Sequence, residues 1–235
     1  LSPAKKLRWM QLDNAAKIYP AAKRRGWTNY FRLSMTLSET VDVPVLRSAL
    51  DVTVRRFPSI AVRLRRGVFW YYLEQIPNAP PIEEERSYPL VHVPFDDVRK
   101  CAFRVIVYRE RIAVEFFHAV TDGTGGMIFL KTLVAEYLCQ KCGVQIPAEH
   151  GVLGRLEEPS EEELEDSFLR YAGDRKASRK ESTAWHLSGT RESDGFLNLT
   201  TMMLSVEKVK QCAGQYQVSV TEFMAAAMLK AICEM

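Results

Sequence analysis

The sequence predicts an α/β protein. Strand-like runs rich in aromatic and β-branched residues alternate with segments whose apolar residues recur at helical spacing. The composition, 47% hydrophobic and 26% charged, is that of a globular chain. At 235 residues there is room for one large domain or two small ones, with enough apolar material for a core.

The elements follow in order. NYFRLSMTL (29–37) reads as a strand. Asp42 before Pro44 is a helix-start signal, and Leu46, Ala49, Leu50 and Phe57 carry the helical spacing until Pro58 ends it. SIAVRLRRGVFWYYLEQ reads as a hairpin turning at Arg66-Gly67. Segment 76–98, with Pro77, Pro80, Pro81, Pro89 and Pro94, reads as a long irregular connection. KCAFRVIVY and RIAVEFF are two strands joined tightly around Arg109-Glu110. In the second, Ile112, Val114 and Phe116 share one face, and His118 continues it, so its side chain is expected to point inward. TGGMIFLKTLVAEYL follows as a helix through Met127, Leu130, Val134 and Tyr137. EEPSEEELEDS (157–167) is acidic and reads as an exposed helix or connector. LNLTTMMLSV (197–206) reads as a strand and SVEKVKQCAGQY as a helix. A last helix opens with Ser219 and Glu222 at capping-box spacing. It meets no stop signal, which suggests a fragment of a longer protein; the leucine at position 1 suggests a processed or recombinant chain.

Several function classes are disfavoured. A net charge of +3 is too mild to argue for nucleic acid, and the basic runs Lys23-Arg24-Arg25, Arg55-Arg56 and Arg63 with Arg65-Arg66 read as solvated faces. No apolar run is long enough for a membrane span, and LSPAKKLRWM lacks a signal-peptide layout. Five scattered cysteines suit a reduced, cytoplasmic protein. Cys139 and Cys142 form one C-x-x-C without a second ligand pair, so no metal is expected.

The chemistry concentrates at His118, at a strand–loop–helix junction ahead of Asp122-Gly123. A histidine on an apolar strand face is most often a core residue. The DGTGG turn before a helix could cradle a phosphate, giving a nucleotide-binding reading. Its spacing, however, matches neither the dinucleotide nor the P-loop pattern. Glycines allowing a tight turn and close packing beneath His118 are the simpler reading.

The stretch FRVIVYRERIAVEFFHAVTDGTGGMIFLKTL resembles the His-x-x-x-Asp-Gly region of the CoA-dependent acyltransferase superfamily. That group includes chloramphenicol acetyltransferase, the BAHD acyltransferases, alcohol acetyltransferases and peptide-synthetase condensation domains. LRSALDVTVRRFPSIAVRL resembles the helix, proline and strand that precede the motif there. AWHLSGT (184–190) and VSVTEFMAAAMLKAI (218–232) resemble later segments of bacterial alcohol-acetyltransferase-like proteins.

The resemblance implies a chloramphenicol-acetyltransferase-like fold, an α+β two-layer sandwich of mixed sheet and flanking helices, in which two lobes enclose a tunnel. Residues 1–150 would be the N-terminal lobe, 151–180 an acidic connector and 181–235 the start of a truncated second lobe. His118 would be the general base of acyl transfer from acyl-CoA, the cosubstrate, to an alcohol or amine. Asp122 would be structural, paired with an arginine for which Arg63 is the candidate, and Gly123 would let the chain turn. An acyl carrier protein is a further candidate partner. Cofactor-binding residues remain unassigned. Two departures matter. Condensation domains carry two adjacent histidines, whereas Phe117 precedes His118 here, which favours the alcohol-acetyltransferase-like branch. The Asp-Phe-Gly-type motif and most of a second lobe are missing, so the isolated chain would lack half its tunnel and could self-associate. A non-catalytic relative that binds a carrier or another partner is the alternative.

Overall fold

The computed structural model describes residues 7–22, 29–166, 183, 186, 188–190, 193 and 198–234. The Lys23-Arg24-Arg25 run, residues 184, 185 and 187 of segment 184–190 and the connector from 167 to 180 lie outside the described residues. The chain divides into two compact units, Leu1–Leu197 and Asn198–Met235.

The first unit holds two sheets. The smaller is antiparallel, in the order β1 (Trp9–Gln11), β4 (Tyr71–Gln75), β3 (Val62–Arg66). The hairpin of β3 and β4 falls as expected, its turn closed by the Gly67 N–H donating to the Trp70 carbonyl at 2.7 Å. The larger sheet is mixed. It runs β2 (Tyr30–Thr36), β7 (Arg111–Phe117), β6 (Phe103–Tyr108), β5 (Ile82–Glu84), antiparallel except for the β5–β6 pair. Between β6 and β7, Arg109 takes a left-handed φ of 51°, as a two-residue turn demands.

Two helices cover one face of this sheet. α2 (Val43–Arg56) starts where Asp42 caps the Val45 N–H at 3.1 Å. α4 (Gly123–Cys142) ends at Gly143, whose φ of 67° is the left-handed cap that glycine adopts without strain. Leu46, Ala49 and Leu50 of α2, Phe129, Leu130 and Leu133 of α4, and Ile112, Val114 and Phe116 of β7 form one buried cluster. Side chains alternate along a strand, so Glu115 points to the opposite face. It is fully buried there and accepts from Arg104 Nε at 2.7 Å, Arg32 Nη1 at 3.2 Å and the Leu90 N–H at 3.0 Å.

Segment 76–98 is more ordered than its prolines suggested. It contains β5 and the single-turn helix α3 (Phe95–Val98). Pro80 and Pro81 precede β5, which lies at a sheet edge, where proline is tolerated. The short elements β1 and α1 (Ile18–Ala21) were not read from the sequence; three or four residues carry no period. Within 157–167, a 3₁₀ turn at Glu161–Glu163 is anchored by Arg56, whose Nη1 and Nη2 donate to the Glu163 carboxylate at 2.7 and 3.0 Å.

The second unit contains α5 (Val206–Gln215) and α6 (Val220–Cys233). The capping box at Ser219 and Glu222 is present: Ser219 Oγ accepts from the Glu222 N–H at 3.2 Å, and Glu222 Oε2 accepts from the Ser219 N–H at 2.7 Å. The strand expected over 197–206 is not formed among the described residues 198–205. A strand is stable only when paired, and no described strand pairs with this run.

Candidate active site

His118 stands one residue beyond β7. Its backbone N–H donates to the Asn29 carbonyl at 2.8 Å, continuing the β2–β7 ladder by one rung. Its imidazole is half-buried rather than fully inward. Two aromatic rings hold it. Tyr19 lies parallel to it, centroids 4.8 Å apart at 10°, and Phe31 packs at 4.8 Å and 54°. Asn29 ties this neighbourhood together, since its Nδ2 also donates to the Tyr19 carbonyl at 3.3 Å. Sequence reasoning missed Tyr19, because its four-residue helix is too short to carry a helical period.

The loop after His118 is short and built by its own side chains. Asp122 is the N-cap of α4, its carboxylate accepting from the Gly125 N–H at 2.8 Å while its carbonyl accepts from the Gly126 N–H at 2.9 Å. A carboxylate thus occupies the helix start that a phosphate would need. The cavity beside it, about 620 Å³, is lined by Phe57, Ile60, Thr121 and Asp122 but also by Glu163 and Asp166. Acidic walls disfavour the nucleotide-binding reading of DGTGG.

The glycines divide differently from the sequence expectation. A Cβ on Gly123 would meet nothing within 4 Å, and its φ is not left-handed, so no steric demand for glycine exists there. The demand falls on Gly125, where a Cβ would overlap Thr121 Oγ1, and on Gly126, where it would lie 3.0 Å from Leu33 Cδ1 and 3.1 Å from Phe116 Cε2. At Gly126 helix α4 packs directly onto the sheet.

Arg63 is not brought to Asp122. It lies opposite Glu74 in the β3–β4 register, and its Nε donates to Glu74 Oε2 at 2.6 Å. Arg65 Nε donates to the same oxygen at 3.0 Å. Burial raises the Glu74 pKa, but the two guanidiniums outweigh it and hold that carboxyl below its ordinary value. The hairpin register was the signal that would have found this pair. Nearby, burial pushes the Cys101 thiol up to about 12 and the Tyr30 hydroxyl well above its usual value. Neither is poised to ionise at neutral pH. Among the described residues no helix is long and apolar enough to cross a membrane.

No family model matches the chain, and no curated protein sequence matches it. Solved structures do. Polyketide synthase associated protein 5 from Mycobacterium tuberculosis matches with a TM-score of 0.57 at 15% identity, over 94% of this chain and 56% of that one. The SgcC5 protein from Streptomyces globisporus, solved with (R)-(-)-1-(2-naphthyl)-1,2-ethanediol and sucrose, matches with a TM-score of 0.50 at 16% identity, over 71% of this chain and 43% of that one. The chain therefore spans about half the length of the structures it resembles. At these identities the likeness shows the fold alone: an α/β arrangement of mixed sheet and flanking helices, as the sequence led one to expect.

Proposed function

We propose that this chain is the His-bearing part of an acyl-CoA-dependent acyltransferase whose acceptor is a hydroxyl or an amine. One observation carries the reading: a half-buried imidazole at the end of a central strand, gripped by its faces and followed at once by a helix-capping Asp-Gly loop. Stacking restrains a ring without consuming its edge nitrogens, which face-on contacts leave for proton transfer. Imidazole suits the task because its pKa lies near working pH.

In the reaction, His118 takes the proton of the acceptor O–H or N–H as the heteroatom attacks the thioester carbonyl. The tetrahedral oxyanion collapses, the C–S bond breaks, and the imidazolium returns its proton to the CoA thiolate. Ester or amide and free CoA thiol result. Asp122 contributes by fixing the start of α4, and Gly126 by letting that helix approach the sheet close to the base.

The test follows free-thiol release from acetyl-CoA and longer acyl-CoAs across a panel of alcohols and amines, using the full-length protein. Acceptor-dependent release should fall about 100-fold or more in His118→Ala while the protein stays folded. Release untouched by that substitution, or no release with any acceptor, would overturn the reading in favour of a non-catalytic partner-binding relative.

A further inference from the structure

We propose that Tyr19 is a positioning residue for His118. The inference rests on the reading of His118 as the base, but its geometric half stands alone. Tyr19 stacks parallel on the imidazole at 4.8 Å and 10°; Phe31, also at 4.8 Å but tilted at 54°, supports the ring from a second direction. A histidine beyond the end of a strand keeps one backbone rung, but that rung does not restrain its side chain. Two χ angles are then free unless something outside the sheet fixes them. Tyr19 comes from a segment remote from the motif and does so. It is itself placed, because its ring also meets the edge of Phe117 at 6.5 Å and its carbonyl accepts from Asn29, the residue whose own carbonyl holds the His118 N–H.

This arrangement has a chemical consequence. A base must meet its proton within hydrogen-bond reach along a narrow range of directions, and misplacement by about 1 Å can cost on the order of 100-fold. That effect belongs to the turnover step and not to substrate capture. The stacking requires the ring and not the hydroxyl.

The experiment has two arms on the full-length protein. In the first, the ring protons of His118 are assigned by NMR with His118→Gln as the reference. In the stacked geometry the Tyr19 ring current moves them upfield; Tyr19→Leu should abolish that shift and Tyr19→Phe should keep it. Ordinary imidazole shifts in the unmodified protein would overturn the proposal without any assay of activity. In the second arm, thiol release from acetyl-CoA is compared. Tyr19→Leu should lower kcat about 10- to 100-fold with KM changed less than about twofold, and Tyr19→Phe should restore it. Equal kcat in Tyr19→Leu and the parent, with His118→Ala inactive, would overturn the positioning role alone. An active His118→Ala would instead overturn the base on which it rests. Should Tyr19→Leu fail to fold, Tyr19→Met and the shift in the unmodified protein carry the same test.

Discussion

At the scale of single residues, Gly123 and Gly126 show how differently one residue type can be used. Both sit in the first turn of α4, yet only Gly126 abuts the core, against Leu33 and Phe116. Gly126→Ala should therefore destabilise the protein by about 1–3 kcal/mol through overpacking, seen as a lower midpoint in urea unfolding. Gly123→Ala should be neutral or slightly stabilising, since alanine is the better helix former by up to about 1 kcal/mol. The sequence marked Gly123 because it belongs to the motif. Sequence reasoning took the DGTGG glycines together as allowing a tight turn and close packing, but could not single out Gly126, because the atoms a methyl would strike come from residues 33 and 116. Arg63 teaches the same point about charge. Its partner is set by hairpin register, and Asp122 spends its carboxylate on its own helix.

At the scale of elements, local signals were the legible ones. Asp42 before Pro44 and the Ser219–Glu222 box both act within one turn, and both appear where they were read. Elements that exist only through tertiary pairing were not legible: β5 is three residues long and is a strand because β6 lies beside it. The run at 197–206 shows the converse, a strand-like composition that forms none among the described residues. The N-cap of α4 supplies a discriminating substitution. If Asp122 acts as a cap, Asp122→Asn should cost little, while Asp122→Ala should cost about 0.5–2 kcal/mol. If it acts as one half of an arginine pair, asparagine should fail as badly as alanine. Thermal melts of the two variants separate these outcomes.

At the scale of the first unit, its sheet has one oily face and one ionic face. On the ionic face Glu115 is shared by Arg32 and Arg104, and Glu85 is shared by Arg32 and Arg111. Burial raises the Glu85 pKa, but the two arginines prevail and hold it below the ordinary 4.5. The unfolded chain therefore binds this proton first as pH falls. The contribution is present in full above about pH 4.5 and is lost as pH drops through the lowered folded value. Urea unfolding at about pH 7 and about pH 3 should show Glu85→Gln clearly less stable than the parent at the higher pH, with the gap narrowing at the lower.

The pairing of β2 with β7 has a consequence in time. Thr36 meets Arg111 and Tyr30 meets Phe117, so β2 must wait for the chain to be made through residue 117 before it finds its neighbour. The β6–β7 hairpin, by contrast, closes across two residues. Long-range pairings close slowly because the loop entropy is spent before the contacts form. The hairpin should therefore form early, with β2 joining it late. Asn29, the rung that holds His118, is part of that late arrival. The candidate base would reach its working position in one of the last events of folding, and a ribosome stalled before Phe117 would leave β2 as a bare, sticky edge.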